Sequence, residues 1–412
     1  MAASILTVTT RLGLLIAILG TISSTVFLAL ASVAAVRFRR KASKWHVRGE
    51  AQNRDELPPV TILKPLCGTE PNLEDNLESF FRLDYPDYEI VFGCRESDDP
   101  ALEAVANLRA KYPKVTARVV LSGYPVWPNA KVFSLAKMIA ASSNDYFVIS
   151  DSDIRVQPEF LQNVIPPLLD PCNGLVTCMY RGIPAPDFWS KLEALGMSVE
   201  LPSGVITADM LEGMRFALGA IMAVRRDALE KIGGIAETKD YYSDDFVLGN
   251  LVFERSGMNV VLSHYTRVGH VLTAQTFGQT FRTQLRWMRS TRYSRPRGHL
   301  GTGLTFSTPF GILGLICAAT LKMWPLAIAL FAWGYLNRVI QAIVIGWGVV
   351  GDRRALAGAL FYPVRDLLGF FVWCASYLGG SNFSWRGERY HFTEGGRIVP
   401  AAREMDEVLL GR

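Results

Sequence analysis

Hydrophobic residues fall into two kinds of run along this chain, and each kind predicts a different structure. Long apolar runs cover residues 12–36, 304–321, 325–350 and 356–379, and each is long enough to cross or to enter a bilayer. Between residues 57 and 299 the apolar runs are short and alternate with segments of helical spacing. The pattern therefore predicts a globular region with membrane segments on both sides of it.

Within the globular region, short strands alternate with helices. Continuous β-branched or aromatic runs predict strands at residues 60–63, 88–94, 116–121 and 146–150. Helical spacing, with Asn72 as the cap of the first helix and Pro100 at the start of the second, predicts helices at residues 72–82, 100–112, 131–142 and 157–169. Strands that alternate with helices form parallel sheets. The predicted fold class is α/β, with a doubly wound, mostly parallel sheet and transmembrane helices at both ends.

The runs divide the chain into five regions. They are a transmembrane anchor with its basic flank at 1–41, a polar linker at 42–56, a globular domain at 57–299, a membrane block of two to three helices at 300–380, and a tail at 381–412. The flank Arg37-Phe38-Arg39-Arg40-Lys41 is cytoplasmic by the positive-inside rule. We therefore expect a multi-pass integral membrane protein whose globular domain is cytoplasmic and whose N-terminus is outside.

Two of the C-terminal apolar runs contain charged residues, at Asn337-Arg338 and at Arg365-Asp366. Ionisable residues in membrane segments face protein, water or the interface. A local ion pair or a snorkelling arginine is one interpretation, and a functional role is the other. Three full crossings would place the tail outside, whereas a re-entrant or interfacial first or third segment would keep it inside.

The composition agrees with this division. Of 412 residues, 50% are hydrophobic and 20% are charged, which favours membrane segments over a purely soluble chain. The net charge of +5 is too small to indicate a nucleic-acid partner. None of the six cysteines belongs to a Cys-x-x-Cys pair or to a cluster with zinc spacing. A disulfide framework is not expected, and the globular region is expected to face a reducing cytosol.

Two carboxylates follow the predicted strand at 146–150. Asp151 and Asp153 are separated by Ser152, and residues i and i+2 of an extended segment point the same way. Ligands of open α/β sheets collect beyond the carboxyl ends of the strands. Mg²⁺ in phosphate sites is usually held by one or two carboxylates together with substrate phosphates. The pattern indicates a metal–diphosphate site, and the alternative is a solvated turn, for which Asp-Ser-Asp is a common composition.

Two polar clusters precede these carboxylates. Asp98 and Asp99 follow the second strand, where a carboxylate could bind a nucleobase or ribose, or could cap the helix that begins at Pro100. Lys131 opens a helix, where its charge opposes the helix dipole. That position suggests pairing with a phosphate at the helix N-terminus, and the alternative is an ordinary exposed lysine.

An acid pair comes later in the globular region. Asp244 and Asp245 lead an apolar helical run. One of them could be a general base that takes a proton from an acceptor hydroxyl. Alternatively, both could be first-turn acids of a helix capped by Ser243.

A basic helix lies just before the C-terminal membrane block. Arg282, Arg286 and Arg289 share a helix face, which could bind acidic lipid. The dipeptide Arg286-Trp287 within it suggests a second function, because a guanidinium can clamp a diphosphate bidentately.

The order of these motifs resembles the ceramide glucosyltransferase family, a membrane-bound branch of the inverting nucleotide-sugar transferases. That family is described by three aspartate motifs and a Gln/Arg-x-x-Arg-Trp motif. The matching segments are Leu63-Lys64-Pro65-Leu66, Pro71-Asn72-Leu73, Asn76-Leu77-Glu78-Ser79-Phe80-Phe81-Arg82-Leu83-Asp84-Tyr85-Pro86, Asp98-Asp99-Pro100-Ala101, Asp151-Ser152-Asp153-Ile154-Arg155-Val156, Asp244-Asp245 and Arg286-Trp287. The resemblance implies a GT-A type sheet domain that uses a UDP-sugar donor and a lipid acceptor.

The resemblance also implies roles for the matching residues. Asp99 is expected to hold the nucleoside, and Pro65 to lie in the donor site. Asp151 and Asp153 are expected to bind a divalent cation, Mg²⁺ or Mn²⁺, and through it the donor diphosphate.

Asp245 is the catalytic base that the resemblance implies, and Arg286 and Trp287 are expected to bind the donor diphosphate and to shape the acceptor site. One departure affects the last motif, because its Gln/Arg position falls on Thr283.

The implied reaction is a single displacement at the membrane surface. The primary hydroxyl of ceramide attacks the anomeric carbon of UDP-glucose, Asp245 takes the proton, and the product is glucosylceramide with an inverted anomeric centre. The cation, Lys131 and Arg286 neutralise charge on the departing UDP. The expected location is a bacterial inner membrane.

Alternatives stay open for the acceptor and for the class of function. Between Asp153 and Asp244 the chain has no histidine, where animal members have a functional one, and Leu201-Pro202-Ser203 resembles bacterial relatives that include hopanoid glycosyltransferases. The first alternative is thus a hopanoid or another lipid acceptor, with UDP-glucose or UDP-N-acetylglucosamine as donor. A polysaccharide synthase and a non-catalytic membrane scaffold rank below it.

Overall fold

In the part of the chain that the structure describes, eight strands form one sheet. The structure, a computed structural model, describes residues 2–49, 56–385 and 387–401. The strands are β1 (Val60–Pro65), β2 (Tyr88–Cys94), β3 (Thr116–Leu121), β4 (Tyr146–Ser150), β5 (Ile154–Arg155), β6 (Asn173–Ile183), β7 (Ile221–Arg225) and β8 (Asn259–Val271). The helices that connect them are α2 (Leu73–Phe81), α3 (Ala101–Lys111), α4 (Ala130–Ala140), α5 (Phe160–Val164), α6 (Phe188–Glu212), α7 (Arg226–Lys231) and α8 (Asp244–Leu251).

The strand order is β3-β2-β1-β4-β7-β6-β8-β5, so β4 lies near the middle of the sheet. β1 pairs in parallel with β2 and β4, β2 with β3, and β6 with β8. β7 is antiparallel to β4 and β6, and β5 is antiparallel to β8. The prediction of a mostly parallel, doubly wound α/β sheet is confirmed.

The apolar runs that predicted the strands are the ones that the fold buries. Phe147, Val148 and Ile149 of β4 have no solvent exposure, as expected for a central strand that is covered on both faces. On α2, Leu73 and Leu77 turn toward the same core because residues four apart lie on one helix face. The carboxyl end of β4 therefore rests on a packed core.

Two local predictions are wrong. Asn72 stands before α2 with a left-handed φ of 63°, and its side chain does not cap the helix. Its carbonyl oxygen instead accepts a hydrogen bond from the amide of Asn76. The helix predicted over 157–169 is broken, because the prolines at 166 and 167 have no amide hydrogen to continue it. α5 ends at Val164, and a 3₁₀ turn follows over Pro166–Leu169.

The chain divides into two compact units, and neither is continuous in sequence. The sheet unit consists of Phe38–Ala185, Ala208–Thr273 and Asn382–Arg412, as far as these ranges are described. The helical unit consists of Met1–Arg37, Pro186–Thr207 and Ala274–Ser381.

The five predicted regions, with their boundaries and their roles, stay predictions. Part of the predicted linker, residues 50–55, and most of the predicted tail, residues 402–412, lie outside the described residues. Residue 386 of that tail does as well.

Helices of transmembrane length occur near the N-terminus and in the C-terminal half, as predicted. Besides α1 (Ala2–Gly49), the helices are α9 (Phe277–Ser294), α10 (Pro296–Gly303), α11 (Thr308–Thr320), α12 (Trp324–Gln341), α13 (Arg353–Ala357) and α14 (Tyr362–Ser376). Among the described residues, the two helical segments long and apolar enough to cross a membrane are Ile5–Ser43 and Trp324–Trp347, the latter extending α12 by a π turn. α10 and α11 together would make a third, but they meet at a bend of 46°.

Charged residues within two of the C-terminal apolar segments form ion pairs. Arg338 Nη1 lies 3.4 Å from Asp366 Oδ1, and both side chains are buried. Asp366 Oδ2 accepts hydrogen bonds from the amides of Ser307 and Thr308, at 3.0 and 2.8 Å. These are orphan amides at the start of α11, where the bend leaves them without helical partners. The ion-pair interpretation is confirmed for Arg338 and Asp366, and the pair stabilises a break between two apolar helices.

A second, three-stranded antiparallel sheet follows the last helix. Its strands are β9 (Asn382–Trp385), β10 (Glu388–Phe392) and β11 (Ile398–Pro400), in the order β11-β10-β9. The predicted tail thus contains regular structure, and that structure belongs to the sheet unit. We call it the C-terminal sheet.

Candidate active site

Lys131 joins the carboxylate after β4 to the acid pair at the start of α8. Lys131 Nζ lies 2.8 Å from Asp151 Oδ1 and 3.5 Å from Asp244 Oδ2. The side chain of Lys131 is 18% exposed, so the interpretation of an ordinary exposed lysine is wrong. Three clusters that are far apart in sequence therefore meet beyond the carboxyl end of a central strand, which is where ligands of such sheets bind.

The N-terminus of α4 is built to hold Lys131 in this place. Asn129 caps the helix, and its Oδ1 accepts hydrogen bonds from the amides of Lys131 and Val132 at 3.0 and 3.2 Å. Its amide nitrogen donates to the carbonyl oxygen of Tyr241 at 2.9 Å. One asparagine thus fixes the helix and ties it to the segment that leads into the acid pair.

The charge of Lys131 is stabilised by its neighbours. Burial opposes the ammonium, but the carboxylates of Asp151, Asp244 and Asp245 outweigh burial and raise the pKa of Lys131. Lys131 is therefore positively charged beside the carboxylates of Asp151, Asp244 and Asp245. The Lys131 ammonium could stabilise the negative charge of a diphosphate bound in the site.

Asp245, the predicted general base, has a raised pKa. It is half-buried in the first turn of α8, directly after Asp244. Burial and the Asp244 carboxylate raise the pKa of Asp245 to about 6, and Lys131 opposes the rise. A carboxylate with a pKa close to the working pH transfers protons efficiently. The capping interpretation is wrong for Ser243, whose side chain does not cap α8.

A glycine opposite makes room for the Asp245 carboxylate. A Cβ atom added at Gly219 would lie 2.9 Å from Asp245 Oδ2. A Cβ atom added at Gly249, one turn further along α8, would lie 2.3 Å from the backbone nitrogen of Ala217. Both turns of α8 are therefore packed closely against residues 216–219.

Asp153 pairs with a histidine that the sequence analysis did not single out. His270 Nε2 lies 3.2 Å from Asp153 Oδ2, and β5 and β8 pair at Ile154 and His270. Against the effect of burial, His270 lowers the pKa of Asp153. The other oxygen, Asp153 Oδ1, is buried and has no hydrogen-bond partner among the described residues.

These donors fit a divalent cation only in part. Within the described residues, no group of three or more His, Cys, Asp or Glu side chains is arranged to hold a metal ion. The unpartnered Asp153 Oδ1, the Asp151 carboxylate and the His270 imidazole are nevertheless suitable donor types. Because Mg²⁺ commonly completes its coordination with substrate phosphates and water, such a cation would need the donor nucleotide as a further ligand.

A buried lysine lies beneath the Asp151 backbone. Lys64 Nζ donates to the carbonyl oxygen of Asp151 at 2.6 Å and to Ser150 Oγ at 3.1 Å, and it lies 3.7 Å from the centre of the Phe80 ring. Burial lowers the pKa of Lys64 to about 7, although Asp151 and Asp153 oppose this. Lys64 holds the end of β4 in place.

Asp99 supports the loop after β1. Its Oδ1 accepts hydrogen bonds from the amides of Gly68 at 3.0 Å and Ala101 at 2.9 Å. The capping interpretation is therefore confirmed for Asp99, which binds the first amide of α3. Pro65 ends β1 opposite Gly93 of β2. Contact of Asp99 or Pro65 with a nucleoside stays a prediction.

Arg286 and Trp287 lie on α9 of the helical unit. Trp287 is 36% exposed, and Arg286 Nε is buried without a hydrogen-bond partner in the described part of the chain. Beside the motif, Gln284 Oε1 accepts a hydrogen bond from Arg365 at 2.8 Å, and Arg365 also pairs with Glu200 at 2.9 Å. The roles of Arg286 and Trp287 toward a donor stay predictions.

Sequence reasoning missed two residues for different reasons. His270 is one polar residue in a strand of 13 residues, and its position in the sequence does not indicate that it contacts Asp153. Lys64 was part of a matching motif without a role, although a lysine that ends an apolar strand run was a usable signal.

Comparison with known proteins identifies the family of the chain. The profile of glycosyl transferase family 21 matches residues 24–398. Ceramide glucosyltransferase 3 of Caenorhabditis elegans is 25% identical over 364 residues, which cover 87% of this chain and 78% of that protein. The ceramide glucosyltransferase of Komagataella phaffii is 39% identical over 108 residues, or 24% of this chain and 21% of that protein.

Among solved structures, a mannosyltransferase from Pyrobaculum calidifontis in complex with GDP-Man and Mn²⁺ has a similar fold. The TM-score is 0.50 at 17% identity, over 87% of this chain and 99% of that one. The shared fold is of the GT-A type, as expected. The profile match spans most of the chain, including the Lys131, Asp151 and Asp245 cluster. This chain is a glycosyltransferase that belongs to glycosyl transferase family 21.

Proposed function

We propose that the chain transfers glucose from UDP-glucose to the primary hydroxyl of ceramide at a membrane surface, with inversion. The observation that carries this proposal is the Asp245 carboxylate, whose pKa is raised to about 6 beside the Lys131–Asp151 ion pair. A proton acceptor and a fixed cation within one cluster suit a displacement by a hydroxyl group on a sugar diphosphate. The family and its ceramide glucosyltransferase relatives support the substrates.

The proposed displacement forms one bond at the anomeric carbon, breaks another there and moves one proton. The acceptor oxygen forms a bond to the anomeric carbon while the bond from that carbon to the diphosphate oxygen breaks. The electron pair of the broken bond leaves with UDP, and the hydroxyl proton passes to Asp245. Lys131 stabilises the negative charge that grows on the diphosphate. Arg286 and Trp287 contribute to the diphosphate and acceptor contacts in this proposal, and Asp99 and Pro65 to the nucleoside contacts.

A divalent cation, Mg²⁺ or Mn²⁺, belongs to the proposal. Asp151 and Asp153 would hold it, with His270 as a further donor, and it would supply positive charge to the leaving diphosphate. Within the proposal, the Asp151 carboxylate would then bind the cation, and the Lys131 ammonium would interact less with Asp151 and more with the diphosphate of the donor.

The location is also part of the proposal. The helical segments Ile5–Ser43 and Trp324–Trp347 suit a multi-pass membrane protein. The sheet domain at 57–299 would be cytoplasmic, between the anchor at 1–41 and the membrane block at 300–380, and the membrane would be a bacterial inner membrane. An apolar acceptor explains why a transferase domain carries such helices.

The decisive experiment is lipid analysis by mass spectrometry after expression in a host without glycolipids. The wild-type chain and Asp245→Asn are expressed in parallel, with ceramide and, in a second culture, a hopanoid supplied. Hexosylceramide from the wild type alone is the expected result. A glycosylated hopanoid instead would assign a different acceptor. No glycosylated lipid and no UDP release from labelled UDP-sugars in membranes would refute the proposal.

A further inference from the structure

The C-terminal sheet makes backbone hydrogen bonds to the segment that leads into the acid pair. The amide of Ile398 donates to the carbonyl oxygen of Asp240 at 2.8 Å, and the amide of Tyr242 donates to the carbonyl oxygen of Gly396 at 3.3 Å. Tyr241 and Arg397 form an isolated antiparallel bridge between these bonds. Residues 240–242 are therefore paired with residues 396–398, where the last strand of the C-terminal sheet begins.

Side chains reinforce the pairing at Tyr241. Arg397 Nε donates to the Tyr241 hydroxyl at 3.2 Å, and the Arg397 guanidinium lies 5.4 Å from the centre of the Tyr241 ring. The hydrogen bond and the contact with the ring act on the same residue pair, so they favour one register of the bridge.

Tyr242 lies among the aromatic side chains of the C-terminal sheet. Its ring centre lies 5.4 Å from that of Phe383, 5.2 Å from Trp385 and 5.5 Å from Phe392, each in an edge-to-face arrangement. Edge-to-face pairs of aromatic rings stabilise a contact beyond the area that they bury. Phe383 and Phe392 also stack on each other with a separation of 4.2 Å. The side chain two residues before Asp244 is thus enclosed by strands β9 and β10.

The same segment is held from the other direction by α4. Asn129, the cap of α4, donates through its side chain to the carbonyl oxygen of Tyr241 and through its backbone amide to that of Lys239, both at 2.9 Å. Residues 239–242 therefore lie between the helix that carries Lys131 and the C-terminal sheet. α8 begins two residues later, at Asp244.

We propose that the C-terminal sheet positions the catalytic base, with Tyr242 as the positioning residue. The ring contacts of Tyr242 and the bridge at Tyr241 fix the start of α8, and so they fix the direction in which Asp245 presents its carboxylate. This inference rests on the proposed function, in which Asp245 takes the proton from the acceptor. It gives the strands β9, β10 and β11 a role in the reaction, although they follow the candidate membrane helices of the described residues in sequence.

The experiment compares variants of the full-length enzyme in nanodiscs. Tyr242→Ala removes the ring contacts, and kcat is expected to fall by about 10- to 100-fold, because a displacement of about 1 Å in a catalytic group has an effect of that size. The KM for the donor is expected to stay within about twofold, since the groups that bind the diphosphate are unchanged. Tyr242→Phe keeps the ring and is expected to restore kcat. Arg389→Ala is the matched control, because Arg389 is exposed on β10.

Hydrogen exchange of residues 238–246 provides a readout that does not depend on activity. Faster exchange in this segment is expected in Tyr242→Ala, and in Arg397→Leu, which removes the bond to Tyr241 and disturbs the fold less. A folded Tyr242→Ala enzyme with unchanged kcat and unchanged exchange overturns the inference. If Tyr242→Ala does not fold, unchanged exchange and kcat in Arg397→Leu overturn it equally. Should the wild type transfer no sugar, the proposed function fails, while the exchange data still decide whether the sheet holds the segment.

Discussion

Lys131 Nζ lies 2.8 Å from Asp151 Oδ1, which joins the start of α4 to the end of β4. The charge of Lys131 also lowers the pKa of Asp245. Lys131→Met removes that charge, so the pKa of Asp245 is expected to rise by about one unit or more. The acid limb of the kcat–pH profile should move upward by the same amount. Lys137→Met, an exposed position on the same helix, is the control, and an acid limb that does not move in Lys131→Met would contradict the assignment.

The wild-type enzyme is expected to lose activity below about pH 6. Burial and Asp244 raise the pKa of Asp245 to about 6, and a general base works only when it is ionised. As the pH falls through this value, the active form is lost about tenfold per unit. The measurement is kcat from about pH 3.5 to about pH 8 at saturating donor and acceptor, a range that includes the ordinary aspartate pKa. An acid limb at the ordinary aspartate pKa, near 4, would exclude Asp245 as the titrating base.

Asp245→Asn is expected to inactivate the enzyme and to raise its Tm at pH 7. The pKa of Asp245 is higher in the folded chain than the ordinary aspartate value of 3.8, so the folded state binds the proton more tightly. That contribution to stability is present at low pH and is lost as the pH rises from about 4 to about 6. The amide removes the desolvated charge, and the gain in Tm should therefore vanish near pH 4. An equal gain at both pH values would mean that the charge is not the cause.

Asp153→Asn and His270→Gln are expected to weaken the binding of the activating cation. Asp153 Oδ1 is buried without a partner among the described residues, and His270 Nε2 lies 3.2 Å from Asp153 Oδ2. Loss of such a ligand or of its partner commonly costs about 10- to 100-fold in metal affinity. The half-saturating Mn²⁺ concentration should rise accordingly in activity titrations. Asp87→Asn, exposed beside the amino end of β2, should behave as the wild type; equal values in all variants would remove this pair from the metal site.

Gly219→Ala and Gly249→Ala are expected to separate catalysis from stability. A Cβ atom at Gly219 would lie 2.9 Å from Asp245 Oδ2, and the carboxylate can rotate away, so kcat should fall while Tm changes little. A Cβ atom at Gly249 would lie 2.3 Å from the backbone of Ala217, which cannot move without displacing α8, so Tm should fall markedly. Steady-state kinetics and thermal unfolding of both variants test this. An unchanged kcat in Gly219→Ala would mean that the carboxylate position is not critical.

The local sequence pattern predicted much of the sheet, because burial of an apolar run in a strand depends on neighbouring residue types. The strand at 146–150 has the predicted bounds, since a continuous apolar run suits a strand that is buried on both faces. The antiparallel insertion of β7 between β4 and β6 could not be predicted, because strand direction depends on connections across more than 70 residues. Asn72 failed as a cap because its backbone is left-handed, which residue type alone does not fix.

The candidate site divides in the same way. Asp151, Lys131 and the acid pair were each found by residue type and by position at the end of a strand or the start of a helix. Contacts between residues far apart in sequence could not be predicted from the sequence. Examples are the contact of His270 with Asp153 and the hydrogen bond from the amide of Gly68 to Asp99. The sequence of the tail, in which acidic and basic residues nearly balance, did not indicate that Trp385 and Phe392 would pack against Tyr242.

The position of the C-terminal sheet also restricts how the chain is threaded through a bilayer. Residues 208–273 and 382–401 belong to one compact unit, and no membrane can pass through it. In the membrane-embedded enzyme proposed above, residues 274–381 must then make an even number of crossings. The extended α12 segment and the bent pair α10–α11 are long and apolar enough to supply two in that proposal. α14, with 15 residues, is about 22 Å long and too short for a third. In that proposal, residues 273 and 382 would both lie on the side of the membrane where the sugar donor is consumed.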